Sequence, residues 1–471
     1  MNERNRELFA LIPASLLVTA GFTAVFIQRN DVLSDLSLTY GLIFLGLCLA
    51  AHVVLRMTLP HADPYLFPLV AVLACFGLVM LYRLDEDFAR EQAQWFVVGL
   101  IFFAGTIVAL RHDHRVLERY RYLIALMGIV LLLLPRLSPP QNGAYLSFDM
   151  GPIAFQPAEL AKIAIVIFLA SYLRDTRQVL VVGARRVLGI TFPPLKHLGP
   201  LLAVWGTAMV LLFVIQDLGS SLMFFGGFLA LVYVATNRIS FVIIGLALFA
   251  VGARALYAVR PTIQNRVEAW LHPFDDELYE QQVGGSYQIA QSVFSQADGG
   301  FFGQGFGQAI IRLGDAPPIL PAAHTDAIYS VIVNELGLLG RGFGQATIQL
   351  GDNPPILPAA HTDFIYAVIT DELGLLGACA VLLVYLLIIE RGFKTAMLAT
   401  DSFSKLLATG LTAVLALQVF VIVGGVTKLI PLTGVTLPFI SYGGSSIVAN
   451  FILLALLLLV SDRARREAQA R

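Results

Sequence analysis

Apolar stretches of near twenty residues, broken by short polar turns, recur along most of this chain. A helix of that length crosses about 30 Å of hydrocarbon. Twelve such runs are predicted, at 8–28, 38–57, 65–83, 94–110, 121–135, 157–173, 198–215, 218–235, 239–258, 364–390, 404–427 and 438–460. The run at 121–135 is short, and the pair flanking Gln216-Asp217 can be read as one, so the parity of the spans needs a separate argument.

Lys and Arg supply it, because they accumulate in the cytoplasmic segments of membrane proteins. With the N-terminus inside, the inner segments carry twenty basic residues, among them Arg4, Arg6, Arg56, Arg111, Arg115, Arg121, Arg174, Arg391, Lys394, Arg463 and Arg465. The short outer loops carry five: Arg29, Arg83, Arg90, Arg136 and Lys428. Both termini are therefore expected in the cytoplasm. One external segment, about 260–363, is far longer than an idle connector, and its apolar and aromatic content argues against disorder.

Composition agrees with lipid as the main solvent. Of 471 residues, 57% are hydrophobic and 13% charged, against roughly 25% charged in soluble domains. A net charge of −1 and the absence of any nucleic-acid-binding motif leave no basis for a nucleic-acid partner. Cys48, Cys75 and Cys379 lie in apolar runs without metal or disulfide spacing and are expected as small buried hydrophobes. No cleavable signal peptide is expected, because the first apolar run is followed by many more.

Residues 305–340 recur at 342–377, offset by 37, with 29 of 36 positions identical. Two copies do not make a solenoid; a tandem duplication or a sequence-assembly artefact accounts for them more simply. The second copy runs on from Leu373 into a full apolar span. The first meets Arg341-Gly342 after an apolar stretch of about 21 Å if helical, too short to cross. Copy one is expected at the outer surface or partly re-entrant, and copy two is the better candidate for a working site.

Ionisable residues in membrane spans are costly and mark candidate sites. In Gln156-Pro157-Ala158-Glu159-Leu160-Ala161-Lys162, Pro157 suits a first helical turn, and Glu159 and Lys162 share a helical face. They are either a structural ion pair or the wall of a polar cavity where Lys162 meets substrate phosphate. Asp217, in IQDLGSS, either caps the next helix or joins that pair. In HTDFIY, Asp363 (duplicated as Asp326) precedes an apolar helix; it is either an N-cap or a general base at the membrane surface, where desolvation raises a carboxylate's pKa. His361 is a weaker base candidate, with Thr362 between them. Repeated glycines at 299–308 permit close backbone approach, and Gln288 and Gln291 offer amides for sugar hydroxyls.

Together, NGAYLSF (142–148), FQPAELAKI (155–163), QDLGSSL (216–222), YQIAQSVF (287–294), GGFFGQGFGQ (299–308), LPAAHTDFIYAVITDELGLLG (357–377) and PLTGVTLPFISYGGSS (431–446) resemble, in order, the shape, elongation, division and sporulation (SEDS) proteins, that is, the RodA/FtsW/SpoVE family. The resemblance spans about residues 65–460. It implies an all-α integral membrane protein: a ten-helix SEDS polymerase core over 61–471, preceded by two additional helices within 1–60, with a catalytic extracellular loop before the third-last helix. It also implies a peptidoglycan glycosyltransferase that joins lipid II into glycan strands and releases polyprenyl diphosphate, with a class B penicillin-binding protein transpeptidase as partner in an elongation or division complex. The family's essential external Asp falls on Asp363, and by duplication on Asp326; its cavity Glu/Lys pair falls on Glu159 and Lys162, and its DLG acid on Asp217.

Tyr145 and Ser147 stand where the family has Arg and Trp, and the Pro usual before the DLG acid is missing, Gln216 preceding Asp217 directly. The duplication displaces one Asp-containing segment. The wording NGAY and QDLGSS leans towards the elongation (RodA-like) branch. In the expected reaction a sugar hydroxyl attacks the anomeric carbon of a second lipid-linked chain. Asp363 takes the proton, and Lys162, Arg266 or a divalent cation (Mg or Mn) meets the departing diphosphate. A lipid II flippase is the competing class, because transporters also hold ionisable groups at mid-membrane; an inert scaffold is the third.

Overall fold

The computed structural model describes residues 3–30, 35–84, 86–138, 147–150, 153–182, 185–187, 190–192, short stretches between 199 and 210, 217–275, 278, 286, 365–431 and 434–470. These residues are almost entirely helical. The helices are α1 (Glu3–Asn30), α2 (Asp35–Thr58), α3 (Leu66–Leu84), α4 (Glu86–Leu110), α5 (Val116–Arg119), α6 (Arg121–Leu133), α7 (Pro157–Val182), α8 (Leu218–Thr236), α9 (Ile239–Val259), α10 (Pro261–Leu271), α11 (Ile365–Leu398), α12 (Ser402–Val426) and α13 (Gly444–Gln469). Two short antiparallel hairpins, β1 (Phe148–Met150) with β2 (Ile153–Phe155) and β3 (Arg185–Val187) with β4 (Ile190–Phe192), flank α7. Among the described residues, six helices are long and apolar enough to cross a membrane: those holding Gly41–Thr58, Glu86–Leu110, Gly219–Thr236, Ile239–Val259, Ser402–Gly425 and Gly444–Gln469.

The C-terminal helix is the hub. α13 packs along α4 and also touches α3, α7, α11 and α12, so it is buried over nearly its whole length. Phe451 sits at the α4 contact, with its ring centroid 5.5 Å from Phe96, 6.0 Å from Phe103 and 5.5 Å from Phe439. Gly99 makes room for it: a Cβ there would lie 2.6 Å from the Phe451 ring. Lipid tails are as apolar as Leu, so shape fit of this kind, rather than escape from water, holds the helices together. α9 is the opposite case. It exposes Ile243, Leu246, Leu248 and Val251 and buries almost nothing, a face compatible with hydrocarbon and not with water.

The ends of the bundle separate by chemistry. At one pole, which carries both described chain ends, Arg465 lies 3.7 Å from Glu3, Arg391 3.6 Å from Asp63, Arg463 3.1 Å from Asp113 and Arg115 3.4 Å from Asp401. Arg121 pairs with Asp175 and Arg174 with Glu118 beside them. The basic segments 4–6, 56, 111–121, 174, 391–394 and 463–465 thus meet in one layer. The far pole carries the start of α4, the β1–β2 hairpin, Asp217, α10 and the turn between α12 and α13. The N-terminal helices α1 and α2 join the bundle through a buried link: Arg4 donates to Glu7 and to the carbonyl of Ala62, and Glu7 lies 2.7 Å from His52.

Several elements differ from the sequence expectation. α4 starts at Glu86, not 94, because the polar turn Glu86–Gln92 continues the helix beyond the apolar run, with Arg90 paired to Asp87 at 2.6 Å. α13 starts at Gly444 and runs to Gln469, whereas the apolar run suggested 438–460. The preceding segment is a turn, with Phe439 at φ 66° and Gly434 at φ 72°. Cys48 and Cys75 are buried as expected, but Cys379 is exposed. Apolarity of a run in a membrane does not tell a lipid-facing position from an inward one.

Candidate functional site

Pro157 opens α7 at the end of the β1–β2 hairpin. One helical turn on, Glu159 and Lys162 come to the same face and pair, Lys162 Nζ to Glu159 Oε2 at 2.5 Å. Both are buried, with side chains 7% and 2% exposed. Lys162 Nζ also donates to Gln418 Oε1 of α12 at 2.7 Å. The amide of Gln418 donates in turn to the carbonyl of Thr436 at 2.7 Å, and Thr436 Oγ1 bonds Ser446 Oγ at 2.8 Å. Asn450 Nδ2 donates to the same Ser446 hydroxyl at 3.2 Å.

A continuous polar ladder therefore runs from α7 through α12 and the α12–α13 turn into α13. Beside Lys162 the structure holds a cavity of about 10 Å³, walled by Ile165, Val166, Leu169, Phe224 and Val414 among others, and a single water needs about that much. The ammonium group is thus engaged by protein partners. The ladder's direct effect is to hold the turn at 434–443.

The same turn is fixed from α4. Gln92 donates to the carbonyl of Ser441 at 3.0 Å and accepts from Gly443 N at 3.2 Å, and Ser441 Oγ accepts from Leu437 N at 2.8 Å. Tyr385 of α11 donates to the Pro438 carbonyl at 2.5 Å. Gln156 N donates to Ser445 Oγ at 3.0 Å, tying the hairpin to the start of α13. Buried backbone groups of an irregular segment need such partners.

Asp217 caps α8. Its carboxylate accepts from Ser220 N at 2.9 Å, and its carbonyl accepts from the Ser221 hydroxyl at 2.6 Å. Glu159 and Arg266 of α10 are both near enough to act on it electrostatically. Of the two uses open for Asp217, the cap is realised, and it stands beside the Glu159/Lys162 pair. Arg266 is half-buried at the far pole, where Trp270 of the same helix donates to the Lys428 carbonyl at 3.0 Å.

Asp326, Asp363, His361, Thr362, Gln288 and Gln291 lie outside the described residues, as do the glycine-rich run at 299–308, Tyr145 and both copies of the HTD motif. α11 begins at Ile365, two residues after Asp363. Ser147, where the family has Trp, is buried. Among the described residues no group of three or more His, Cys, Asp or Glu side chains is arranged to hold a metal ion.

The residues overlooked in the sequence are Gln418, Thr436, Ser446, Asn450 and Gln92. For Gln418 and Asn450 the available signal was a lone amide inside an otherwise apolar span, a costly placement in lipid.

Comparison with known proteins agrees with this architecture. The RodA of Mycobacterium tuberculosis (strain ATCC 25618 / H37Rv), named a peptidoglycan glycosyltransferase, is 39% identical over 483 residues, covering 99% of this chain and 92% of its own. Stage V sporulation protein E of Bacillus subtilis (strain 168) is 28% identical over 419 residues, covering 86% of this chain and 98% of its own. A chain from a solved peptidoglycan synthase complex that coordinates polymerization and crosslinking superposes with TM-score 0.62 at 25% identity, covering 85% of this chain and 97% of that one. The FtsW/RodA/SpoVE cell cycle protein profile matches residues 64–343 and 337–466, two matches that overlap where the duplicated copies join. The chain belongs to the FtsW/RodA/SpoVE family of cell cycle proteins.

Proposed function

We propose that this chain is a peptidoglycan glycosyltransferase that polymerises lipid II on the outer face of the bacterial cytoplasmic membrane, for elongation or division. The observation that carries the reading is 39% identity, along 99% of the chain, to relatives named for that activity. The pole holding both described chain ends is cytoplasmic, because the basic segments gather there, and the far pole faces the substrate. A hydroxyl oxygen of one lipid-linked sugar bonds to the anomeric carbon of the other, with inversion. The bond from that carbon to diphosphate breaks, its electron pair leaves on polyprenyl diphosphate, and the hydroxyl proton passes to Asp363 or its duplicate Asp326.

Glu159 and Lys162 act as positioning residues. Their ladder holds the 434–443 turn at the far pole, and Asp217 and Arg266 line the same end. Gln288, Gln291, His361 and Thr362 belong to the loop that receives the sugars. A core from residue 61 onward fits a family profile match that begins at residue 64. A class B penicillin-binding protein is the partner transpeptidase, in keeping with the superposition on a chain from a synthase complex.

The competing reading, a lipid II flippase, rests on the ionisable pair in a span. Against it, Lys162 is closed off by Glu159 and Gln418. Purified protein in detergent, which has no two sides to flip between, separates the two when given lipid II: glycan strands are expected. Intact lipid II after prolonged incubation, together with transbilayer movement of lipid II in vesicles, would overturn the polymerase.

A further inference from the structure

The terminal pole contains a recess that neither the polymerase site nor the helix packing uses. A cavity of about 340 Å³ opens among α1, the turn before α3, the end of α11 and the end of α13. Its walls carry the cations Arg6, Arg391, Lys394 and Arg465 around the acid Glu3, with Tyr65 and Leu398 at its edge. Part of the positive charge is neutralised internally. Arg465 pairs with Asp63 and lies 3.7 Å from Glu3, Arg391 lies 3.6 Å from Asp63 and 3.1 Å from Glu390, and Arg6 lies 3.7 Å from Glu3. Four cations against Glu3, Asp63 and Glu390 leave an excess of positive charge, and Arg6 and Lys394 are its exposed members.

The surroundings narrow the ligand class. Tyr65 and Leu398 are exposed at the rim, and Phe9, Phe393 and Met397 are exposed on the same helices close by. The recess therefore sits where the charged layer meets the lipid-facing belt. A soluble anion has no use for that apolar flank, whereas a lipid places its phosphate in the charged layer and its chains along the belt. Arg391 is also held over the Tyr65 ring, 4.8 Å from its centroid, which orients a guanidinium at the edge of the recess.

We propose that this recess binds the headgroup phosphate of an anionic phospholipid from the leaflet at the terminal pole. Because the walls come from α1, α11 and α13, such a lipid clamps the additional N-terminal helices to the core.

The test uses the full chain in a neutral detergent, titrated with phosphatidylglycerol or phosphatidylcholine and read by native mass spectrometry and by melting temperature. Wild type is expected to retain phosphatidylglycerol and to melt higher with it, with little response to phosphatidylcholine. Each surface cation near a headgroup contributes about fivefold in affinity, so Arg6→Gln/Lys394→Gln is expected to weaken phosphatidylglycerol binding by about thirtyfold. Lys394→Arg is expected to keep it. Should the double variant fail to fold, Lys394→Gln alone, at an exposed position, gives the same reading at about fivefold. Equal retention of the two lipids by wild type would overturn the proposal, as would unchanged preference in the charge-removed variants. Inorganic phosphate that reproduces the melting shift at the same concentration would assign the recess to a soluble anion instead.

Discussion

At the residue scale the Glu159–Lys162 pair shows what buried charge does here. Taking both groups out of water is costly, and the loss is offset only while each keeps its partners. Lys162→Met is therefore expected to destabilise the protein by about 3–5 kcal/mol, because it leaves Glu159 buried and unpaired. Glu159→Leu/Lys162→Met, which removes both charges, is expected to recover most of that loss in detergent melting. A double variant as unstable as the single would show that the pair is not the unit. The pairing was legible from its i, i+3 spacing. Its continuation to Gln418 was not, because that residue lies in a distant span of uniform apolarity, where one amide carries no periodic signal. Cys379 failed for a related reason: in lipid, a helix hides no preferred face in its composition.

At the element scale, turn and helix contacts depend on glycines at two close approaches. A Cβ on Gly77 of α3 would lie 2.5 Å from the Ile440 carbonyl oxygen and 2.9 Å from its Cα, both backbone atoms that cannot rotate away. Gly77→Ala is expected to cost about 1–3 kcal/mol through overpacking and to disturb the 434–443 turn. Gly46→Ala, where nothing lies within 4 Å, is the control and is expected to melt at or above wild type. Equal behaviour of the two variants would mean that α3 does not press on the turn. A Cβ on Gly444 would enter the Trp95 ring in the same way. The final span was legible as a span, but its start was not. PFISYGG is apolar enough to read as helix, and its left-handed Phe439 and its bonds to Gln92 and Tyr385 depend on tertiary partners.

At the scale of the whole molecule the two poles have different chemistry, and the terminal pole carries a pH-sensitive joint. Burial pushes the His114 imidazole down from 6.5 to about 4, with Arg463 and Arg115 opposing its proton and Asp401 and Asp113 favouring it. Its ring bonds Ser404 at 2.7 Å, at the start of α12. A depressed histidine pKa means that protons prefer the unfolded chain. The stability from His114 is therefore complete above pH 6.5 and is lost as pH falls towards 4. At pH 5 the loss is about 2 kcal/mol, visible as a falling melting temperature in detergent. His114→Gln is expected to flatten that fall, and an identical pH profile in the variant would remove His114 from the explanation.

The membrane architecture and the gathering of basic segments at one pole were readable from hydrophobic run length and Lys/Arg placement. The polar ladder was not, because it is assembled from residues far apart in the chain. The central claim is the proposal that Asp363, or its duplicate Asp326, takes the sugar hydroxyl's proton. Glycan-strand formation from lipid II by purified Asp363→Ala, Asp326→Ala and the combined variant tests it most directly. Loss of a general base slows such a step by about 10²–10⁴, so Asp363→Ala, or the combined variant if either copy can serve, is expected to fall by that factor while melting like wild type. Full polymerisation by all three variants would contradict the assignment.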